Sequence, residues 1–150
     1  MVKNEQKLAI PIKYYDWCEP LRANRFLVRF PEEAFIPEWK IMKVKITTSA
    51  ITVRIVCVVD GMNTCEEFTD FGRKFNELDD EKRIISIEDL DPTGNVVVST
   101  DYCGCSFMGV LRDMKYDYNS DDLKTYDLIF PYESCIEHKI KEICQEGLTT

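Results

Sequence analysis

Apolar residues recur at every second position in run after run between Asn24 and Tyr132, and this alternation constrains the fold more than any other property of the sequence. A period of two puts one set of side chains on each face of an extended strand, so each strand needs something to bury its apolar face against. Phe26, Val28 and Phe30 point one way, Arg25, Leu27 and Arg29 the other, and Pro31 closes the run. After the turn Pro37-Glu38-Trp39, Met42, Val44 and Ile46 alternate with Lys43, Lys45 and Thr47, predicting a second strand with one wet face. Ile51, Val53, Ile55, Cys57 and Val59 line one face of a third, over residues 51–59. Val56 and Val58 join Thr52 and Arg54 on its other face, so this strand is expected to be covered on both sides over half its length. That calls for a second contact surface.

One stretch keeps a different period. Asp60-Gly61 ends the third strand, and Thr64-Cys65-Glu66-Glu67 has the spacing of a capping box, in which the Thr64 hydroxyl and Glu67 carboxylate satisfy otherwise unpaired amide groups. A helix is predicted over residues 64–76. Phe68, Phe71, Phe75 and Leu78 fall at helical offsets three, seven and ten, a stripe that reads as core. Glu66, Glu67 and Asp70 sit near the positive end of the helix, Arg73 and Lys74 near the negative end.

Alternation then resumes. Ile84, Ile85, Ile87 and Leu90 form a strand, and Asp91-Pro92-Thr93-Gly94 supplies Asp at the first, Pro at the second and Gly at the fourth position of a type I turn. Val96, Val97 and Val98 return as its partner. Further strands are readable over 102–111 and 123–132, where Tyr126, Leu128, Phe130 and Tyr132 alternate with Thr125, Asp127 and Ile129. Pro131 lacks an N–H for a ladder bond, so it must stand at an edge or bulge. About six or seven strands with one helix give a mainly β fold, a small antiparallel β-barrel or sandwich with one attached α-helix.

At 150 residues, 45% hydrophobic and 31% charged, the chain has room for one domain with a real core, and it carries no internal repeat or Gly/Ser linker. That domain is expected over residues 24–135. Residues 1–23 read as an N-terminal arm in which Tyr14, Tyr15 and Trp17 either dock on a partner or cover one end of the core. Residues 136–150 form a C-terminal extension with Ile136, Ile140, Ile143 and Cys144 at near-helical spacing. Nineteen Lys and Arg against 27 Asp and Glu leave a formal charge of −8, the wrong sign for affinity that rests on neutralising phosphates. No apolar run reaches the ~18–20 residues of a membrane span, and the start shows no signal-peptide core, so a cytosol-like compartment and no membrane are expected.

Candidates for chemistry are few. Of the seven cysteines, only Cys103 and Cys105 are close in sequence. On one extended strand their thiols would share a face, half of a metal site that needs two further ligands, and packed thiols are the plainer reading. The single histidine, His138, reads as a surface residue without a nucleophile signature near it, and no phosphate-cradling glycine loop occurs. The acidic connection 113–122 lacks the glycine and terminal glutamate of a calcium loop and reads as a solvated turn. No catalytic site, metal or cofactor is expected.

The order of parts carries a resemblance. Asn24-Arg25-Phe26-Leu27-Val28-Arg29-Phe30, the strand 51–59, the helix 64–76, the hairpin at Asp91-Pro92-Thr93-Gly94, and the stretch from Cys105 to Cys135 resemble the tail tube protein of contractile-tailed bacteriophages. The ending is similar too: a strand from Gly109, an aromatic-acidic turn with Tyr116, Asp117, Tyr118, Asn119, Ser120 and Asp121, and a last alternating strand. The chain is shorter than such proteins between Phe30 and Ile51, where they often carry longer stacking loops.

The resemblance implies a structural virion protein, assembled in the host cytoplasm into hexameric rings that stack as a tube inside a sheath and pass DNA at genome ejection. Sheath, baseplate and tape-measure proteins are the implied partners. A tube-initiating baseplate or hub protein, and the tube of a contractile injection system, are implied alternatives; a Cys-dependent metal-binding protein and a monomeric binding module are alternatives of other classes. The subunit interface is expected at Thr52, Arg54, Val56 and Val58 with Tyr126, Leu128, Phe130 and Tyr132. An acidic lumen wall is expected as well, since a negative surface would not hold DNA.

Overall fold

The computed structural model describes residues 19–112 and 116–140. Eight strands and one α-helix follow in the order β1 (Phe26–Arg29), β2 (Ile41–Ile46), β3 (Ala50–Val56), α1 (Cys65–Asn76), β4 (Ile85–Leu90), β5 (Val96–Cys103), β6 (Gly109–Leu111), β7 (Thr125–Pro131) and β8 (Ser134–Lys139). They form two four-stranded antiparallel sheets, a first in the order β1-β4-β5-β8 and a second in the order β2-β3-β7-β6. The fold is mainly β with one helix, as expected, in the form of two separate sheets rather than a closed barrel.

The chain divides into two compact units, one of residues 28–87 and 100–136, the other of 88–99 with the described ends 19–27 and 137–140. The second sheet and α1 lie wholly within the larger unit. Its core is made by the inward positions of β3 and β7, Ile51, Val53 and Ile55 with Tyr126, Leu128 and Phe130, all essentially inaccessible. Phe68 and Phe75 of α1 cover them, with ring centroids 5.0 Å from Tyr126 and 5.2 Å from Phe130. Phe30 and Phe107 close on the same Phe130 ring at 5.7 and 5.6 Å. Each such buried ring contributes about 1.5–3 kcal/mol, so this aromatic cluster fixes the helix on the sheet.

Local signals fix the rest of α1. Glu67 N donates to Thr64 Oγ1 while Thr64 N donates to Glu67 Oε1, closing the expected capping box. At the other end Asn76 Nδ2 donates to Phe107 O at 3.1 Å and Phe107 N donates to Asn76 Oδ1 at 2.7 Å, so one side chain satisfies both backbone groups of a residue in the irregular approach to β6. In the smaller unit the β4–β5 turn is held by Asp91 Oδ1, which accepts from Thr93 N, Thr93 Oγ1 and Asn95 N, with Gly94 at φ +91°.

Four expectations are corrected. The predicted strand 102–111 is broken, because Gly104 takes φ +66° and turns the chain out of β5 before β6 begins. Cys103 and Cys105 therefore do not share one strand face. β3 ends at Val56, leaving Val58 outside the strand and Val59 93% exposed. β2 has a bulge between Ile41 and Lys43, so the expected register of Met42 with Val44 and Ile46 is interrupted, and Met42 and Ile46 are both exposed, at 45% and 41%. Residues 134–139 form the strand β8, exposed throughout, where helical spacing was read; Ile143 and Cys144 lie outside the described residues, as does most of the arm. Pro131 closes β7, and its ring side faces the irregular segment whose Ser106 N donates to Pro131 O, so no regular ladder bond is lost.

Candidate functional site

The register of the second sheet sets which side chains share its outward face. Thr52, Arg54 and Val56 on β3 stand opposite Ile129, Asp127 and Thr125 on β7. Lys43 and Lys45 on β2 stand opposite Arg54 and Thr52, and Leu111 and Gly109 on β6 opposite Asp127 and Ile129. One row thus runs straight across the four strands: Lys43, Arg54, Asp127, Leu111.

Arg54 and Asp127 make a two-pronged ion pair in this row, Nε to Oδ1 at 2.9 Å and Nη2 to Oδ2 at 3.1 Å. The planar guanidinium suits a carboxylate held directly across the ladder. With Leu111 and Thr125 the pair lines a shallow, mostly polar depression. Lys43 and Lys45 are exposed and have no acidic residue opposite them in the sheet. The face therefore carries three cationic side chains against one carboxylate, in a chain whose formal charge is −8. Were this face to line a lumen, the acid excess would not be on it, contrary to the acidic wall expected.

The eight residues expected at the interface separate by face. Thr52, Arg54 and Val56 lie on the outward face, half-buried. Tyr126, Leu128 and Phe130 point into the core at 3%, 0% and 0% exposure, on the face opposite to that of Thr52, Arg54 and Val56. Val58 lies beyond β3 and Tyr132 beyond β7; the Tyr132 hydroxyl donates to Thr47 O at 2.7 Å and its ring packs on Tyr102. β3 and β7 are also the interior strands, each paired on both sides, so the free backbone edges of this sheet belong to β2 and β6. Lys43, Lys45 and Leu111 were not picked from the sequence, although the Lys43/Lys45 alternation was visible.

The titratable groups near the core have structural explanations. Lys40 is 5% exposed beside Phe68, its ammonium 5.9 Å from the ring centroid, and burial lowers its pKa while Cys57 and Glu67 oppose the shift. Burial pushes the Cys105 thiol up to about 11, and its Sγ lies 3.1 Å from Tyr102 O. Among the described residues no three His, Cys, Asp or Glu side chains stand together to hold a metal ion, and no helix is long and apolar enough to cross a membrane.

No family model and no curated protein matches the sequence. Solved structures do match the fold. A chain of the anti-feeding prophage tube-terminating cap superposes with a TM-score of 0.58 at 15% identity, covering 88% of this chain and 96% of that one. A chain from the PVC sheath-tube complex of an extracellular contractile injection system, in its extended state, gives 0.56 at 15% identity over 81% and 93%. A chain of the anti-feeding prophage baseplate gives 0.55 at 13% identity over 84% and 100%. At these identities the likeness establishes the fold: this is a tail tube-like chain in architecture.

Proposed function

We propose that this chain is a structural component of a contractile tail, a subunit that closes into six-membered rings through the second sheet and stacks as a tube within a sheath. The observation that carries this reading is the pair of open edges on that sheet. Its four strands alternate in direction, with β2 at one edge and β6 at the other. Four is even, so rotation about an axis along the strands brings β6 of one copy antiparallel to β2 of the next, and the cylinder closes without an edge. The solved structures that share the fold come from a tube cap, a sheath-tube complex and a baseplate, which supports the same reading.

In this role the chain meets sheath, baseplate and tape-measure proteins in the tail, is assembled in the cytoplasm of the producing cell, and surrounds a channel that passes DNA. Its work is mechanical and needs no catalytic residue. A second reading, a terminating or initiating ring, is favoured by the likeness to the tube-terminating cap, which spans 88% of the chain. Negative-stain microscopy of the purified protein across concentrations decides between them. Hollow tubes support the tube subunit, and single rings that never stack support the terminator. Particles without a central hole at every concentration, with or without a tail-base partner, sink both.

A further inference from the structure

Among the described glycines, one has no reason to be glycine within its own chain. Gly94 and Gly104 take left-handed φ values of +91° and +66°, Gly72 lies against the Phe107 ring, and a Cβ on Gly61 would stand 2.9 Å from Val58 Cγ2. Gly109 of β6 is not left-handed, and a Cβ built on it meets nothing within 4 Å. Glycine in a strand costs conformational entropy and forgoes packing. Where neither φ nor crowding inside the chain calls for it, it marks the close approach of another backbone. Gly109 stands opposite Ile129 on the outward face, in the strand whose other side is unpaired.

Both margins of the second sheet also expose large apolar side chains, Met42 and Ile46 on β2 and Met108 and Leu111 at β6. Charge does not draw these margins together: Lys43 and Lys45 on β2 and Arg112, which follows Leu111, are exposed and of one sign. Asp127, on the strand next to β6, is engaged by Arg54. We propose that Gly109 is the point of closest approach in the joint between copies, where β2 of the next copy lays a lysine stem across the bare glycine. The side-chain period of two then fixes the faces. Outward Lys43 and Lys45 pass over Gly109 and Leu111 with their ammonium groups in water. On the core side Val44 and Ile46 meet Val110, so the apolar layer runs on from copy to copy. A one-residue slip would press the lysines against that layer. The joint rests on the ring reading above and supplies the reason for Gly109.

The test uses the full chain as wild type, Gly109→Val and Ile46→Thr. Association is followed by sedimentation velocity and negative stain, and folding by thermal melting. The space at Gly109 is open within the chain, so Gly109→Val is expected to melt at or above the wild-type temperature. It is expected at the same time to weaken association by about tenfold or more, since the added side chain holds the next copy's strand away. Ile46→Thr, on the other margin, removes apolar contact and is expected to weaken association several-fold. A monomer as stable as wild type with weakened assembly has no explanation inside one chain. If Gly109→Val melts well below wild type, the glycine serves its own fold and the proposal is overturned. If either variant assembles as wild type does, the joint is overturned while the ring reading stands. A wild type that stays single at every concentration overturns the ring reading and the joint with it.

Discussion

Gly72 of α1 lies against the ring of Phe107, so close that a Cβ there would stand 2.0 Å from Cδ2 and 2.3 Å from Cε2 and Cγ. In an ordinary exposed helix Gly→Ala stabilises by about 1 kcal/mol. Here Gly72→Ala is expected to destabilise by about 1–3 kcal/mol through overpacking. Phe107→Ala in the same chain should remove most of the additional cost. A double-mutant cycle by urea denaturation checks this, and a rise in stability on Gly72→Ala alone would contradict the contact.

The Arg54–Asp127 pair is part-exposed, with 42% and 22% of the two side chains accessible. Its geometry is good but its solvation limits it, so a cycle of Arg54→Met and Asp127→Asn should return a coupling of about 0.5–1 kcal/mol. The coupling should shrink in 1 M salt. A value indistinguishable from zero at low salt would mean the pair does not persist in solution.

Thr64→Ala removes the hydroxyl that caps α1 and should cost about 1 kcal/mol, with Thr64→Ser close to wild type. The Glu67 carboxyl is held below its ordinary value by the hydrogen bond from Asn63 N and then by those from Thr64. A carboxyl with a lowered folded value contributes stability above its unfolded value and loses it as the pH falls through the folded one. Glu67→Gln should therefore flatten the acid limb of the stability profile.

Burial raises Cys105 from an ordinary 9.0 to about 11. The unfolded thiol ionises first, so stability should fall as pH rises from 9 to 11, by on the order of 2–3 kcal/mol for this group. Subtracting the profile of Cys105→Ala isolates it. In native protein an alkylating reagent should modify exposed Cys135 well before Cys105; equal rates would contradict the burial.

Lys43→Glu places a carboxylate opposite Arg54 where like charges now face each other. The single chain should gain about 0.2–1 kcal/mol of stability, read as a raised melting temperature that shrinks in high salt. An unchanged or lowered melting temperature would contradict the pairing of the two side chains across the ladder.

The parts of this fold that were legible were those with local causes. The capping box at Thr64 and Glu67 and the phenylalanine stripe gave α1 within a residue, and Asp91-Pro92-Thr93-Gly94 gave the hairpin. The breaks were not legible. Gly104 sits inside an apolar run that reads as continuous strand, and the β2 bulge leaves the alternation of Met42, Val44 and Ile46 intact on paper. β8 is exposed throughout, so no face of it is marked by burial. The sheet orders arise from pairing between distant segments. For the same reason alternation showed that Tyr126, Leu128 and Phe130 share a face but not that the face meets the chain's own helix, and it put Lys43 and Lys45 on a wet face without showing that Lys43 stands opposite Arg54.

The edges that would join copies are blunt ones: β6 is three residues long, and β2 carries a bulge and two lysines. Such edges offer few backbone bonds to a chance encounter, so two free copies meeting in solution hold each other only briefly. If copies join as proposed, growth would need a preformed end that engages both margins at once, with a lag before spontaneous elongation and rapid addition when a seed is supplied. Initiation, and with it the number of assemblies per cell, would then pass from the subunit concentration to whatever furnishes that seed.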